Sequence, residues 1–320
     1  MKKKLIIFII IMLMLLLFIG TGVSLVQKVI LGRVAQPYNT FKFQVVYAAP
    51  GTFTLPILEG GAGYAHNFTV NWGDGSSDST ITSFDDPDRI HTYAGAGTYD
   101  ITMIGTCEWF CFNDAGDKTK ITKLLGFSGD MGFKQLNFEG CLNLNTIIPL
   151  GIKISLTSAS YMFKDDPLIT SIPNGMYDGC PNLVLVNLTF YGCPGIKSIP
   201  VDMFRYNPLI TSFMLTFAGT GITSIPANIF RHNPLVTSFN STFAGCIDIV
   251  SELDGDIFLI CLVAVDFGGT FKGCLNMTGQ GQKIIDNTAL PGHSVPIVTA
   301  DCFDGCVALS DYATLPAGWK

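Results

Sequence analysis

The sequence predicts a mainly β chain, a small β-sandwich followed by a β-solenoid of about six to seven coils, on three observations. Phenylalanine recurs at Phe138, Phe163, Phe190, Phe217, Phe243, Phe271 and Phe303, in steps of 25, 27, 27, 26, 28 and 32 residues. Tyr177, Phe204, Phe230 and Phe258 fall between these landmarks at offsets of 13 to 15 residues, so each period has two similar halves. Upstream, between residues 41 and 106, the text changes to short runs of alternating apolar and polar residues. A period of this size marks a stacked architecture, because one repeat cannot cover its own apolar side and its neighbours must.

At the start of the chain, Lys2, Lys3 and Lys4 precede an apolar run from Leu5 to Ile19 that continues with small or apolar residues to Val26. A cationic flank before an apolar centre is an export signal. Two readings stay open: a signal peptide cleaved near Gly22 or Ser24, or an uncleaved membrane anchor, since about 20 apolar residues suffice to span a bilayer. In both, residues 1–26 hold their positive end inside, which places everything after them at the cell surface or beyond. Residues 27–40 read as a linker. The net charge of −6 and the scattering of the 19 lysines and arginines argue against an extended phosphate-binding surface, hence against a nucleic-acid partner.

Residues 41–106 carry the runs Phe41–Tyr47, Phe53–Leu55, Phe68–Trp72 and Tyr99–Ile104, broken by Gly, Pro and Asp clusters. Short alternating runs punctuated in this way indicate antiparallel strands with one buried face. Within them stands Trp72-Gly-Asp-Gly75, followed by His91-Thr-Tyr93 and Gly97-Thr-Tyr99. Gly-Asp-Gly after a strand suits a turn that needs positive φ and a side-chain cap, and Trp72 suits a core position. These strings resemble the signature of polycystic kidney disease (PKD) type immunoglobulin-like domains, and the resemblance implies a β-sandwich in which His91 is a scaffold residue. Residues 107–123 read as a bridge.

Residues 124–320 hold the repeats, in which a β-prone run leads through a turn to an inward-pointing aromatic, as in Ile196–Phe204, Leu209–Phe217, Ile222–Phe230 and Leu235–Phe243. Strings such as Leu168-Ile-Thr-Ser-Ile-Pro173, Thr216-Phe-Ala-Gly219 and Thr242-Phe-Ala-Gly-Cys246 resemble the BspA-like leucine-rich-repeat surface proteins with a 26-residue bacterial surface repeat. Members of that group often carry a PKD-like module directly before the repeats. The resemblance implies extracellular binding proteins of bacteria, some protists or bacteriophages, with a host protein or glycan as partner. Between 247 and 300 the Ser-Ile-Pro text is missing and the spacing lengthens. No hydrophobic tail or Leu-Pro-x-Thr-Gly signal follows the last landmark, so attachment is expected from the N-terminus, and Trp319 is a natural cap for the end of the stack.

Ten cysteines invite a search for metal, but Cys141, Cys180, Cys193, Cys246, Cys274 and Cys306 all follow Gly shortly after a recurring aromatic. They read first as a buried ladder of small side chains. The spacing of Cys107 with Cys111 and of Cys302 with Cys306 suits a local disulfide better than zinc, which favours tighter C-x2-C pairs. The acidic loop Asp85-Asp-Pro-Asp88 with Asp74 and Asp78 is a weak Ca²⁺ candidate, because it lacks an ordered ligand spacing; no other cofactor is expected. Asn-x-Ser/Thr triplets begin at Asn67, Asn187, Asn240 and Asn276, which matter only in a host that glycosylates them.

Catalytic motifs are absent: there is no G-x-S-x-G, H-E-x-x-H or Walker loop. The function expected is therefore adhesion or recognition without catalysis. The candidate binding face is Lys197, Asp202, Arg205, Tyr206, Asn228, Arg231 and His232, on successive turns that would stack into a stripe. A structural component of a virion or cell envelope is the first rival. A secreted glycan-active enzyme is the second, and it would need paired carboxylates at a cleft.

Overall fold

The computed structural model describes residues 39–59 and 63–320, and the chain in it is mainly β. The leader at 1–26 and all but the last two residues of the linker lie outside the described residues. Strand β1 (Thr40–Tyr47) buries Phe41, Phe43, Val45 and Tyr47 in strict alternation. It sits in a five-stranded sheet with β3 (His66–Asn71), β4 (Ser79–Ile81), β6 (Gly97–Cys107) and β8 (Ile121–Ser128), in the order β4-β3-β6-β1-β8. A second antiparallel pair, β2 (Gly51–Thr54) with β5 (Ile90–Tyr93), supplies Phe53 and Tyr93. Their rings lie 5.9 Å from Phe43 and 5.0 Å from Tyr47, so the buried face of β1 is covered from this side.

The Trp-Gly-Asp-Gly turn is built as its residue types demand. Gly73 has φ +80°, and a Cβ there would meet the Asp100 carbonyl oxygen at 2.7 Å, so the turn requires glycine. Trp72 is buried and its indole N–H donates to Ser79 Oγ (3.0 Å), while the Tyr93 hydroxyl donates to the Trp72 carbonyl (2.9 Å).

Strand β8 has two neighbours of different kinds. One side pairs antiparallel with β1, and on the other Lys123 lies opposite Thr146 in parallel, so the boundary drawn at 123/124 falls inside a strand shared by both segments. Segment 107–123 also does more than connect. Its strand β7 (Trp109–Cys111) pairs in parallel with β9 (Gln135–Asn137), and the parallel series continues through Ser158, Leu185, Ser212, Ser238, Asp266 and Val298. Phe112, 26 residues before Phe138, packs at 6.4 Å against that ring, so the first layer of the stack lies where a bridge was expected.

The recurring phenylalanines form one column. Successive rings from Phe138 to Phe303 lie 5.6 to 5.8 Å apart, with interplanar angles of 19° or less. These centroid distances exceed the spacing of about 4.8 Å between paired backbones, so the rings are offset, the arrangement their quadrupoles favour. The half-period aromatics stack likewise, Tyr177 on Phe204 at 6.0 Å and Phe230 on Phe258 at 5.8 Å. Two residues before each landmark from Phe163 onward stands a left-handed residue: Tyr161, Leu188, Leu215, Ser241, Gly269 or Asp301. Holding a large L-residue there costs about 1–2 kcal/mol. The turn is nevertheless repeated, because it directs the next ring inward.

A second parallel series runs on another side of the stack. Thr223 N–H donates to Lys197 O, Val250 N–H to Thr223 O and Thr278 N–H to Ser251 O, and β10 (Glu252–Leu253) pairs with β11 (Thr278–Gly279). The irregular region expected between 247 and 300 holds helix α1 (Gln282–Thr288), which occupies the lengthened 32-residue step. At the end of the column, Trp319 lies 6.2 Å from Phe303 and 6.1 Å from Phe267, and its carbonyl accepts from Phe303 N–H. The last layer is thereby capped.

Candidate functional site

The position three residues after each landmark ring is buried, and in four layers its side chain donates a hydrogen bond to a backbone carbonyl of the preceding layer, whereas Thr220 donates to Phe217 O of its own turn. Cys193 Sγ donates to Phe163 O (2.9 Å), Cys246 Sγ to Phe217 O (3.1 Å), Cys274 Sγ to Phe243 O (3.1 Å) and Cys306 Sγ to Phe271 O (2.9 Å). After the half-period aromatics the same work is done by Asn207 Nδ2, which donates to Tyr177 O and Cys180 O, and by Asn233 Nδ2, which donates to Phe204 O and Asn207 O. Lys153 is fully buried, with Nζ donating to Gly129 O (2.6 Å) and Ile152 O (3.0 Å). These are structural roles.

The expected disulfides are corrected on this basis. Cys107, Cys111, Cys302 and Cys306 are all buried free thiols. Cys107 Sγ is turned to Trp109 O (3.5 Å), and Cys306 Sγ is committed to the donor column. Burial pushes the Cys193, Cys261 and Cys306 thiols up to about 12, so at neutral pH they are protonated and poor nucleophiles. Without reductant, Ellman's reagent is expected to titrate almost no thiol in the native protein and all ten in guanidinium chloride. A denatured count of eight or six would restore one or both bridges.

The acidic residues considered for Ca²⁺ engage separate partners. Asp74 Oδ2 accepts from His91 Nε2 (2.8 Å) and its Oδ1 from Ser76; Asp78 accepts from Asn71, Asp85 from Ser83, and Asp86 from Thr82 and Asp88. Among the described residues no group of three or more His, Cys, Asp or Glu side chains is placed to hold a metal. His91 stacks on Trp72 at 4.7 Å and 10°, which locks the turn. Burial raises the Asp74 carboxyl, but the bonds from Ser76 and His91 outweigh it and hold the group at about 2. A depressed folded value contributes stability above the unfolded carboxylate range and loses it as pH falls from about 4 to 2. Asp74→Asn is therefore expected to cost less than about 1 kcal/mol at pH 7, because solvent screens the exposed carboxylate, and almost nothing at pH 2, by thermal unfolding.

Five of the seven residues of the candidate face come together. Arg231 Nε donates to His232 Nε2 (2.8 Å) and lies 3.4 Å from Asp202 Oδ1 on the preceding layer. Arg205 sits over the ring of Tyr206, 5.5 Å from its centroid. The two arginines each follow a half-period aromatic, Phe204 and Phe230, and the bonds from Asn233 to Phe204 and Asn207 make those turns direct neighbours. Asn228 is exposed and makes no side-chain hydrogen bond to this group. Lys197 stands apart on the second parallel series, where it pairs with Asp248 (3.0 Å).

A shallow groove of about 600 Å³ runs along the stack beside the landmark column, lined by Tyr191, Leu215, Ala218, Ala244 and Lys272 among others. The residue after each landmark ring is Glu139, Lys164, Tyr191, Lys272 or Asp304 in five layers but Ala218 and Ala244 in two, which opens the floor. Its lining brings no nucleophile and base together. No protein-family model matches the chain, and no curated protein matches it.

Proposed function

We propose that this chain is an exported, non-catalytic recognition protein of the cell surface that binds a host protein or glycan through side chains on its repeat turns. In this reading residues 41–106 are a PKD-like β-sandwich, and the repeats are a BspA-like leucine-rich-repeat solenoid that displays the turns. The observation that carries it is the group Arg205, Tyr206 and Arg231, all exposed, with half-buried His232 beside them. Neighbouring layers of the stack offer charged and aromatic groups to solvent at the same relative position. Structural ladders consume their polar groups internally. This set does not.

Export rests on the lysine-flanked apolar leader, and among the described residues no helix is long and apolar enough to cross a membrane. The full chain, immobilised, should retain specific members of a glycan panel or bind intact host cells, and Arg205→Ala with Arg231→Ala should weaken that retention at least tenfold. Failure to retain any glycan, protein or cell would remove the recognition reading.

A further inference from the structure

We propose that the turns carrying Arg205, Tyr206, Arg231 and His232 form a binding site for an acidic polysaccharide, one whose sugars bear sulfate or carboxylate groups. This rests on the recognition reading above and names its ligand class. The first argument is unused donor capacity. Arg231 is held through Nε, which donates to His232, and its side chain is 45% exposed, with no hydrogen bond from either terminal amino group among the described residues. Arg205 has no carboxylate within ion-pair distance among the described residues; its guanidinium lies against Tyr206 instead. A planar guanidinium with free N–H groups matches sulfate or carboxylate bidentately.

The second argument is charge. The two arginines occupy equivalent positions on adjacent layers, about 5 Å apart along the stack, with one carboxylate, Asp202, beside Arg231. Like charges so placed repel, and they do so on a chain whose net charge is −6. An anion bridging them removes that repulsion. The third is shape. Tyr206 is 50% exposed and Val201 75% exposed on the same turn, which provides flat apolar surface for the C–H face of a sugar ring beside the cations. A polymer with closely spaced anionic groups suits two cations on adjacent layers; the equivalent positions of the flanking layers hold Asp178 and Leu259, so the cationic site is confined to these two turns.

The test uses the full chain with Lys2, Lys3 and Lys4 replaced by glutamine, so that the leader adds no cations. Binding to heparin, polygalacturonate, neutral dextran and an Asp/Glu-rich peptide is measured as a function of salt, for this chain and for its Arg205→Glu/Arg231→Glu version. The expected result is salt-sensitive binding to heparin or polygalacturonate, none to dextran, and a loss of at least tenfold in the double variant at unchanged thermal stability. Tyr206→Ala is expected to weaken binding severalfold without altering its salt dependence. Acidic-polysaccharide binding that the double variant retains would overturn the site. Binding of dextran or the peptide instead would overturn the ligand class while leaving the recognition reading in place. No binding to any probe, or to any partner in the broader screen, would overturn both.

Discussion

Replacing Asp166 with asparagine is expected to stabilise the protein by about 4 kcal/mol at pH 7 and to flatten its stability between pH 4 and 9. Asp166 occupies the donor column between Cys141 and Cys193, three residues after Phe163, and is fully buried. Neither carboxyl oxygen has a hydrogen-bond partner. A carboxylate offers no donor to the carbonyl this position faces, which by register with Cys193 is that of Phe138. Burial accordingly raises its pKa to about 9, an effect that the nearby Cys141 backbone offsets only in part. A folded value raised above the unfolded one gives stability that is complete below pH 4 and is lost as pH rises towards 9.

Asparagine supplies a permanent N–H, as Asn207 and Asn233 do after the half-period rings. Urea unfolding at pH 5 and pH 8 should show the wild type losing several kcal/mol between the two and the variant losing far less. Asp166→Cys, which copies the residues above and below it in the column, should behave like the asparagine variant. Equal pH dependence in all three would show that Asp166 is ionised and satisfied in the fold.

Truncating Phe217 to alanine is expected to cost about 3–5 kcal/mol, because the ring is buried between two stacked neighbours and leaves a cavity that the layers cannot close. Phe217 lies 5.8 Å from Phe190 and 5.7 Å from Phe243, near the middle of the column. Where each layer contacts only those beside it, a defect at the centre uncouples the two halves. The unfolding curve should therefore separate into two transitions, whereas Phe303→Ala near the capped end should mainly loosen the last layer. Val201→Ala, at a side chain 75% exposed, should stay within about 0.5 kcal/mol of wild type. A single, equally shifted transition for both phenylalanine variants would argue against layer-by-layer coupling.

The aromatic column was legible because burial of large rings at a fixed period leaves few alternatives, and the strands of residues 41–106 because β1 alternates so strictly. The first layer escaped notice because Phe112 stands in the crowded run Trp109-Phe-Cys-Phe112, where no single ring marks the beat, although its distance from Phe138 matches the period. Lys153 and Asp166 escaped for a different reason: isolated charged residues read as solvated until they are placed in a column. Aligning the third residue after each ring would have set Asp166 between two cysteines and exposed the conflict. Pairwise cysteine spacing misled in the same way, since Cys302 and Cys306 are four residues apart in the chain but Cys306 is pledged to a neighbouring layer. In the candidate face, Lys197 was grouped with Arg205 as one stripe on successive turns, yet the second parallel series places it elsewhere.

The stacking itself is tested most directly by distances between spin labels on the parallel series. With one label at Gln135 and the other at Ser238, Asp266 or Val298, the pairs are four, five and six layers apart. Backbone separations of about 19, 24 and 29 Å are expected, rising by about 5 Å for each added repeat of some 30 residues. Distances that fail to increase in equal steps, or that scatter with the length of intervening chain, would contradict the stacked arrangement on which the donor column, the aromatic column and the proposed binding site depend.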